Sequence, residues 1–143
     1  MLAFNTVADV LGLPGQGASA LSPFGLISRI ESGLPLGALD RMARLLAPDD
    51  AQFKYRLVPK ATYERRKSRH RLSSEEGARL ARVARVWGLA LDVWGSEAEA
   101  RDFLFRAHPM LEDRRPIDLA IGGEIGAELV LDILGRLKYG SAA

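Results

Sequence analysis

Apolar positions recur at helical spacing along most of the chain, and no segment shows the sustained alternation that is typical of a strand. The clearest stripe lies between Pro35 and Pro48. It consists of Leu36, Leu39, Met42, Leu45 and Leu46. A longer stripe begins after an S-x-x-E capping box, Ser73 with Glu76, and ends at Gly95. Its members are Leu80, Val83, Trp87, Leu91 and Trp94. These patterns predict an all-α fold with two core helices here.

Caps and helix breakers predict two further helices near the N-terminus. Asn5 caps the first, Gly12 ends it, and its apolar face carries Val7, Val10 and Leu11. A loop, "GLPGQGASALSP", follows. Ser22 before Pro23 then marks the start of a helix that Gly33 ends. The apolar residues at helical spacing in it are Phe24, Ile27 and Ile30.

Three more helices are predicted after residue 95. A second S-x-x-E box, Ser96 with Glu99, begins a helix that Pro109 ends, followed by the polar loop "HPMLEDRRP". Pro116 begins a short helix, which the glycine pair 122–123 separates from the last one. The stripe of that last helix is Ile125, Leu129, Ile133, Leu134 and Leu137, of which Leu134 and Leu137 are expected to anchor its end. Gly140 stops it.

Between residues 49 and 70 the pattern predicts a helix, a tight turn and a second helix. Asp49 or Asp50 caps the first, in which Phe53 and Leu57 lie on one face, and Pro59 begins the second. This is the arrangement of a helix-turn-helix, and the boundary to the next domain is predicted between residues 71 and 72, close to the capping box.

Composition excludes several kinds of chemistry. The 143 residues are 48% apolar and contain no cysteine, which excludes disulfides, thiolate zinc sites and cysteine nucleophiles. Neither His70 nor His108 lies in a nucleophile or metal motif, and the glycine-rich stretches match no phosphate-binding loop. We therefore expect no enzyme, no metal and no cofactor. Asp9 near the start and Asp92 in the most apolar run predict that the chain has no export signal and no membrane span. The lack of cysteine is compatible with the cytoplasm, where we expect the protein.

Positive charge is concentrated in one short segment. Residues 1–53 have 3 Lys/Arg and 5 Asp/Glu, residues 54–71 have 8 and 1, and residues 72–143 have 9 and 12, so the formal charges are −2, +7 and −3. The basic segment coincides with the predicted helix-turn-helix, whose second helix ordinarily enters the major groove of DNA. The candidate DNA-binding residues are Lys60, Thr62, Tyr63, Arg65, Arg66, Lys67 and Arg69.

Two alternatives to that DNA interface stay open. A run of charges is often only a solvated face. Tyr63 can instead pack against Phe53 or Leu57. The Trp87 and Trp94 stripe likewise fits a core or a dimer seam as well as a binding hot spot for a partner.

Several motifs occur in an order that resembles a known family. They are "GLPLGALDRMARLL", "TYERRK", "RLSSEEGARLARVARVWGLALDVWG", "EAEARDFL", "HPMLEDRRPIDL" and "LGRLKYG". This series is similar to the type II antitoxins that carry the Xre/MbcA/ParS toxin-binding domain. The resemblance runs from about residue 22 to the end, with the helix-turn-helix at 49–70 and the toxin-binding domain at 72–143. The family often has a threonine that caps the last helix, where this chain has "GGE" at 122–124.

The resemblance implies a dimeric, non-enzymatic protein that inhibits a RES-domain toxin acting on NAD⁺ and represses its own operon by binding operator DNA. We expect the C-terminal segment to enter the NAD pocket of the toxin. The expected toxin-binding residues are Arg136, Lys138, Tyr139, Gly140, Ser141, Ala142 and Ala143. Two alternatives are that the tail frays in solvent and that the protein is a stand-alone helix-turn-helix regulator whose C-terminal helices dimerise or sense a ligand.

Overall fold

The computed structural model describes residues 4–13 and 22–140, and the regular elements in these ranges are helical. They are α1 (Phe4–Leu11), α2 (Pro23–Ser32), α3 (Leu36–Leu46), α4 (Lys54–Leu57), α5 (Lys60–Arg66), α6 (Ser74–Trp94), α7 (Glu97–Phe105), a 3₁₀ turn (Pro109–Leu111), α8 (Pro116–Gly122) and α9 (Glu124–Tyr139). The all-α prediction is confirmed. Most of the loop predicted after α1 lies outside the described residues.

Helix α6 is the centre of the molecule, because α1, α2, α3, α4, α7, α8 and α9 all pack against it. Both bonds of its capping box form: the Glu76 amide donates to Ser73 Oγ at 3.2 Å, and the Ser73 amide donates to Glu76 Oε1 at 2.8 Å. Gly95 ends the helix with a φ of 81°, in the left-handed region that favours glycine. Trp87 is fully buried, whereas Trp94 at the end of the stripe is partly exposed.

The N-terminal helices follow the sequence patterns with two differences. Helix α1 begins at Phe4, so Asn5 lies inside it and not at its cap. In α2 the Ser22 hydroxyl accepts from the Gly25 amide at 3.0 Å, as predicted, but the buried side chain is Leu26, while Phe24 and Ile27 are exposed. Helix α2 therefore contacts the core along a narrower face than its apolar spacing indicates.

Helices α8 and α9 pack in close contact at one glycine. A Cβ at Gly126 would lie 2.2 Å from the carbonyl oxygen of Leu119, a distance that no side chain can occupy. The buried face of α9 consists of Ala127, Val130, Ile133 and Leu134. Leu134 thus anchors the end of the helix as predicted, but Leu137, which lies near the last turn, is about half exposed and does not.

Arginines fix helix ends across the fold. Arg82 donates to the carbonyls of Ala120 and Ile121 at 2.9 and 3.0 Å, and Arg101 donates to the Leu45 carbonyl at 2.7 Å. These carbonyls lie in the last turns of α8 and α3, where backbone acceptors lack helical partners. The buried residues form one hydrophobic cluster that spans both predicted domains. The boundary between residues 71 and 72 stays a prediction.

Candidate DNA-binding and toxin-binding surfaces

The basic segment folds as two short helices with a tight turn, as predicted. The predicted cap was wrong, because α4 begins only at Lys54 and neither Asp49 nor Asp50 lies at its cap. Phe53, Leu57 and Val58 are buried, and they fix the turn between α4 and α5 to the core. Arg79 of α6 donates to the Leu57 carbonyl at 2.8 Å and so caps the end of α4. The helix pair is therefore held firmly against the central helix.

Tyr63 belongs to the interior of the helix pair. Its hydroxyl donates to Asp40 Oδ1 at 2.8 Å, and its buried ring makes an edge contact with Tyr55 at 5.7 Å between centroids. Burial and the hydrogen bond to Asp40 raise the pKa of Tyr63. Lys54 Nζ lies 4.3 Å from the centre of the Tyr63 ring. Tyr63 thus packs, as one interpretation of the sequence allowed, with Tyr55 and Asp40 among its partners.

Two of the candidate DNA-binding cations have acidic partners within the molecule. Arg66 binds Glu76 through two hydrogen bonds of 3.0 and 3.1 Å, in a partly buried position beside the capping box. Burial raises the pKa of Glu76, but hydrogen bonds from Arg66 and Ser73 outweigh it and lower that pKa below its usual value. Lys67 lies 3.0 Å from Glu64 with both side chains largely exposed.

The other candidates lie on the outer face of the segment. Lys60, Arg65 and Arg69 are exposed and have no ion pair among the residues that the structure describes. Thr62 is half-buried and accepts a 3.3 Å hydrogen bond from Arg65. The backbone after Arg69 is tied to the start of α3, because the Leu36 amide donates to the His70 carbonyl at 2.9 Å. The available cations are therefore presented on a fixed backbone.

The C-terminal candidates fall into four groups. Arg136 and Tyr139 are exposed at the end of α9. Lys138 contacts the carboxylate of Asp92 on α6, and this hydrogen bond raises the pKa of Lys138. Gly140 ends the helix with a φ of 85°, and its amide donates to the Arg136 carbonyl at 2.8 Å. The last three candidates, Ser141, Ala142 and Ala143, lie outside the described residues.

A groove beside α9 was not predicted from the sequence. It has a volume of about 370 Å³ and lies between α9 and the 3₁₀ turn. Its lining is Met110, Leu111, Glu112, Arg114, Leu119, Leu129, Asp132, Ile133 and Arg136. The sequence contains a sign of this groove, because α9 has more apolar residues than one buried helix face can accommodate. The segment "HPMLEDRRP" was interpreted only as a polar loop, although Leu111 is buried and Met110 is exposed.

The histidines and acidic residues form no candidate metal site in the part of the chain that the structure describes. His108 Nε2 lies 2.9 Å from the Phe103 carbonyl oxygen, and its ring packs on Phe103 at 4.8 Å. No group of three or more His, Asp or Glu side chains among the described residues could hold a metal ion. Within those residues no helix is long and apolar enough to span a membrane.

Comparison with known families assigns both parts of the chain. Residues 25–85 match the antitoxin Xre-like helix-turn-helix domain, and residues 89–140 match the antitoxin Xre/MbcA/ParS C-terminal toxin-binding domain. Both are regulatory domains of antitoxins. No curated protein sequence matches the chain significantly. The first match contains the basic helix pair, and the second contains the groove and the end of α9.

Proposed function

Because the chain belongs to the type II antitoxins that join an Xre-like helix-turn-helix to an Xre/MbcA/ParS toxin-binding domain, we propose that its partner is a RES-domain toxin. Such toxins act on NAD⁺, either by degrading it or by ADP-ribosylating a protein. In this proposal the antitoxin acts in the cytoplasm, blocks the NAD⁺ site of its toxin, and as a dimer represses its own operon.

The observation that supports inhibition through the C-terminal segment is the exposure of side chains at the end of α9. Tyr139 projects from the last turn of α9 with most of its surface exposed, and Arg136 has no ion pair among the described residues. A pocket for NAD⁺ must receive two phosphates and an aromatic base. Tyr139 would stack or hydrogen-bond at its mouth, and Arg136 would pair with acidic toxin residues. Lys138 would have to exchange Asp92 for a toxin carboxylate.

Small residues after Gly140 suit entry into a narrow pocket. Gly140 ends the helix with a φ of 85°, directly before "SAA", whose side chains are small. The proposal thus assigns inhibition to residues 136–143 and repression to the exposed cations of α5 and the segment after it.

The test is copurification of this chain with the product of a neighbouring RES gene, followed by an assay of NAD⁺ consumption. We expect a stable complex in which consumption stops. A chain truncated after Leu137 should bind more weakly and inhibit poorly. Undiminished inhibition by the truncated chain would contradict the role of the tail, and a toxin that neither binds nor responds to the full chain would contradict the proposed partner.

A further inference from the structure

The groove beside α9 has exposed apolar side chains on both walls. Met110 lies at the tip of the 3₁₀ turn and Leu129 lies on α9, while Leu119 and Ile133 contribute to the lining between them. Contiguous exposed apolar surface of this kind is uncommon on a soluble domain and usually marks a binding site.

The apolar wall on α9 continues along the helix. Ile125, Leu129 and Leu137, with Ile133 between them, follow one another at steps of four residues, so they form one ridge. Ile133 alone of these four is buried, and it lines the groove, whereas the other three are exposed. The ridge thus runs from the start of α9 towards Tyr139 and joins the groove to the proposed inhibitory end.

Two arginines without internal partners border the same groove. Among the described residues after 71, the arginines that hydrogen-bond or ion-pair within the molecule are Arg79, Arg82, Arg85, Arg101, Arg106 and Arg115. The guanidinium groups of Arg114 and Arg136 do neither within the described part of the chain, and both residues are exposed and line the groove. Arginine and methionine are enriched at protein interfaces, and an exposed guanidinium is well suited to bind a carboxylate.

The loop that carries Met110 has a defined conformation. The amides of Leu111 and Asp113 donate to the His108 carbonyl, both at 2.9 Å, and the His108 amide donates to the Arg114 carbonyl at 3.2 Å. Glu112 and Asp113 have φ angles of 56° and 63°, in the left-handed region that is costly for residues with a side chain. A loop closed in this way keeps Met110 in position and lowers the entropy lost when a partner binds.

We propose that this groove is the primary docking surface for the toxin. An apolar side chain of the toxin fills it between Met110 and Leu129, and toxin carboxylates bind Arg114 and Arg136. Glu112 and Asp132 line the same groove and select for a cation next to that apolar side chain. The proposal rests on the proposed function, since it locates the surface that brings the toxin to the inhibitory end of α9.

The toxin is a better occupant than a second copy of the chain for two reasons. The groove lies entirely within residues 89–140, the part that matches the toxin-binding domain. It is also continuous, through Arg136 and the ridge on α9, with the residues proposed to enter the toxin pocket. A single toxin molecule can therefore cover both the groove and the end of α9.

The experiment measures the affinity of the toxin for full-length variants by isothermal titration calorimetry. Met110→Ala with Leu129→Ala removes two side chains that are 67% and 48% exposed, and the matched control removes Phe24 and Ile27 on α2, which are 78% and 50% exposed. We expect the groove variant to raise the Kd by at least about tenfold, because central apolar anchors dominate interfaces. The α2 variant should bind as the natural chain does. Arg114→Ala with Arg136→Ala should weaken binding most at low salt.

Thermal unfolding of each variant confirms that the side chains removed are not needed for folding. An unchanged Kd for the groove variant, while the natural chain binds, would overturn the groove but leave the proposed function standing. The groove would equally be overturned if the variant lost dimerisation in sedimentation with its Kd for toxin unchanged. A natural chain that does not bind the toxin at all would overturn both proposals.

Discussion

In the basic segment and in the last helix, the exposed and available side chains are not the ones that each sequence indicates. Residues 54–71 are the most charged part of the chain, yet Arg66, Lys67 and Tyr63 are bound to acidic partners of the same molecule. Helix α9 is among the most apolar parts, yet its ridge is mostly exposed. Charge density therefore overstates what the first region offers to DNA, and apolar spacing overstates what the second contributes to the core.

The two candidate surfaces are therefore defined by side chains that are exposed and lack an internal partner, and not by residue type alone. For DNA they are Lys60, Arg65 and Arg69, and for the toxin they are the ridge, Met110 and the two unpaired arginines. Each surface belongs to a separate family match. This difference is tested most sharply by pairs of variants, in which one removes a buried residue and the other an exposed residue of the same stripe or segment.

The largest expected difference in the free energy of unfolding is between substitutions on the two faces of α9. Leu134→Ala should lower the free energy of unfolding by about 3 kcal/mol, because it leaves a cavity in the core. Ile125→Ala, at a position that is 80% exposed, should change it by less than about 0.5 kcal/mol. Urea unfolding followed by circular dichroism measures both, and similar losses would contradict the division of the stripe into two faces.

A comparable contrast exists between two glycines of α9. Gly126→Ala should cost about 2 kcal/mol, since its methyl group would meet the Leu119 carbonyl and push α9 away from α8. Gly135 has open space around it, so Gly135→Ala should instead stabilise the helix by up to about 1 kcal/mol. Differential scanning calorimetry would show melting temperatures that move in opposite directions, whereas two shifts of the same sign would contradict the close contact.

Neighbouring arginines of the basic segment should separate stability from DNA binding. Arg66→Ala removes the bidentate contact with Glu76 and should lower the free energy of unfolding by about 1 kcal/mol. Arg65→Ala should leave stability unchanged but weaken binding to any duplex and reduce the slope of log K against log salt by about one unit. Fluorescence anisotropy with the upstream DNA measures the second effect. An Arg65→Ala chain with unchanged affinity and salt slope would remove Arg65 from the interface.

The smallest expected effect is on the stability of the fold at acidic pH. The pKa of Glu76 is lowered in the folded chain, so its contribution to stability is present above its unfolded pKa and is lost as the pH falls through the folded value. Glu76→Gln keeps an acceptor for the capping box. The natural chain should therefore lose stability more steeply than this variant between about pH 5 and pH 3. Parallel slopes would show that Glu76 does not carry a lowered pKa.

Much of the fold followed from local signals. Ser22, Ser73 and Ser96 all act as helix caps, and Gly33, Gly95 and Gly140 end helices where expected. These signals are readable because a cap depends on neighbours within four residues. The side of α2 and α9 that is buried was not readable, since it depends on which helices lie opposite.

The candidate surfaces were only partly predictable for the same reason. The sequence located the basic helix pair, but the partners of Arg66 and Lys138 are Glu76 and Asp92, which lie 10 and 46 positions away. The groove requires Met110 and Leu129 to meet across a closed loop. Its existence follows from how that loop packs against α9, which no local pattern specifies.

One titration tests whether DNA and toxin use separate surfaces of this antitoxin. NAD⁺ consumption by the proposed RES-domain toxin is measured against increasing amounts of the natural chain and of a Lys60→Ala, Arg65→Ala, Arg69→Ala variant. We expect superimposable inhibition curves, although the variant no longer binds DNA. A variant curve displaced to roughly tenfold higher concentration, or no inhibition by either chain, would contradict this expectation.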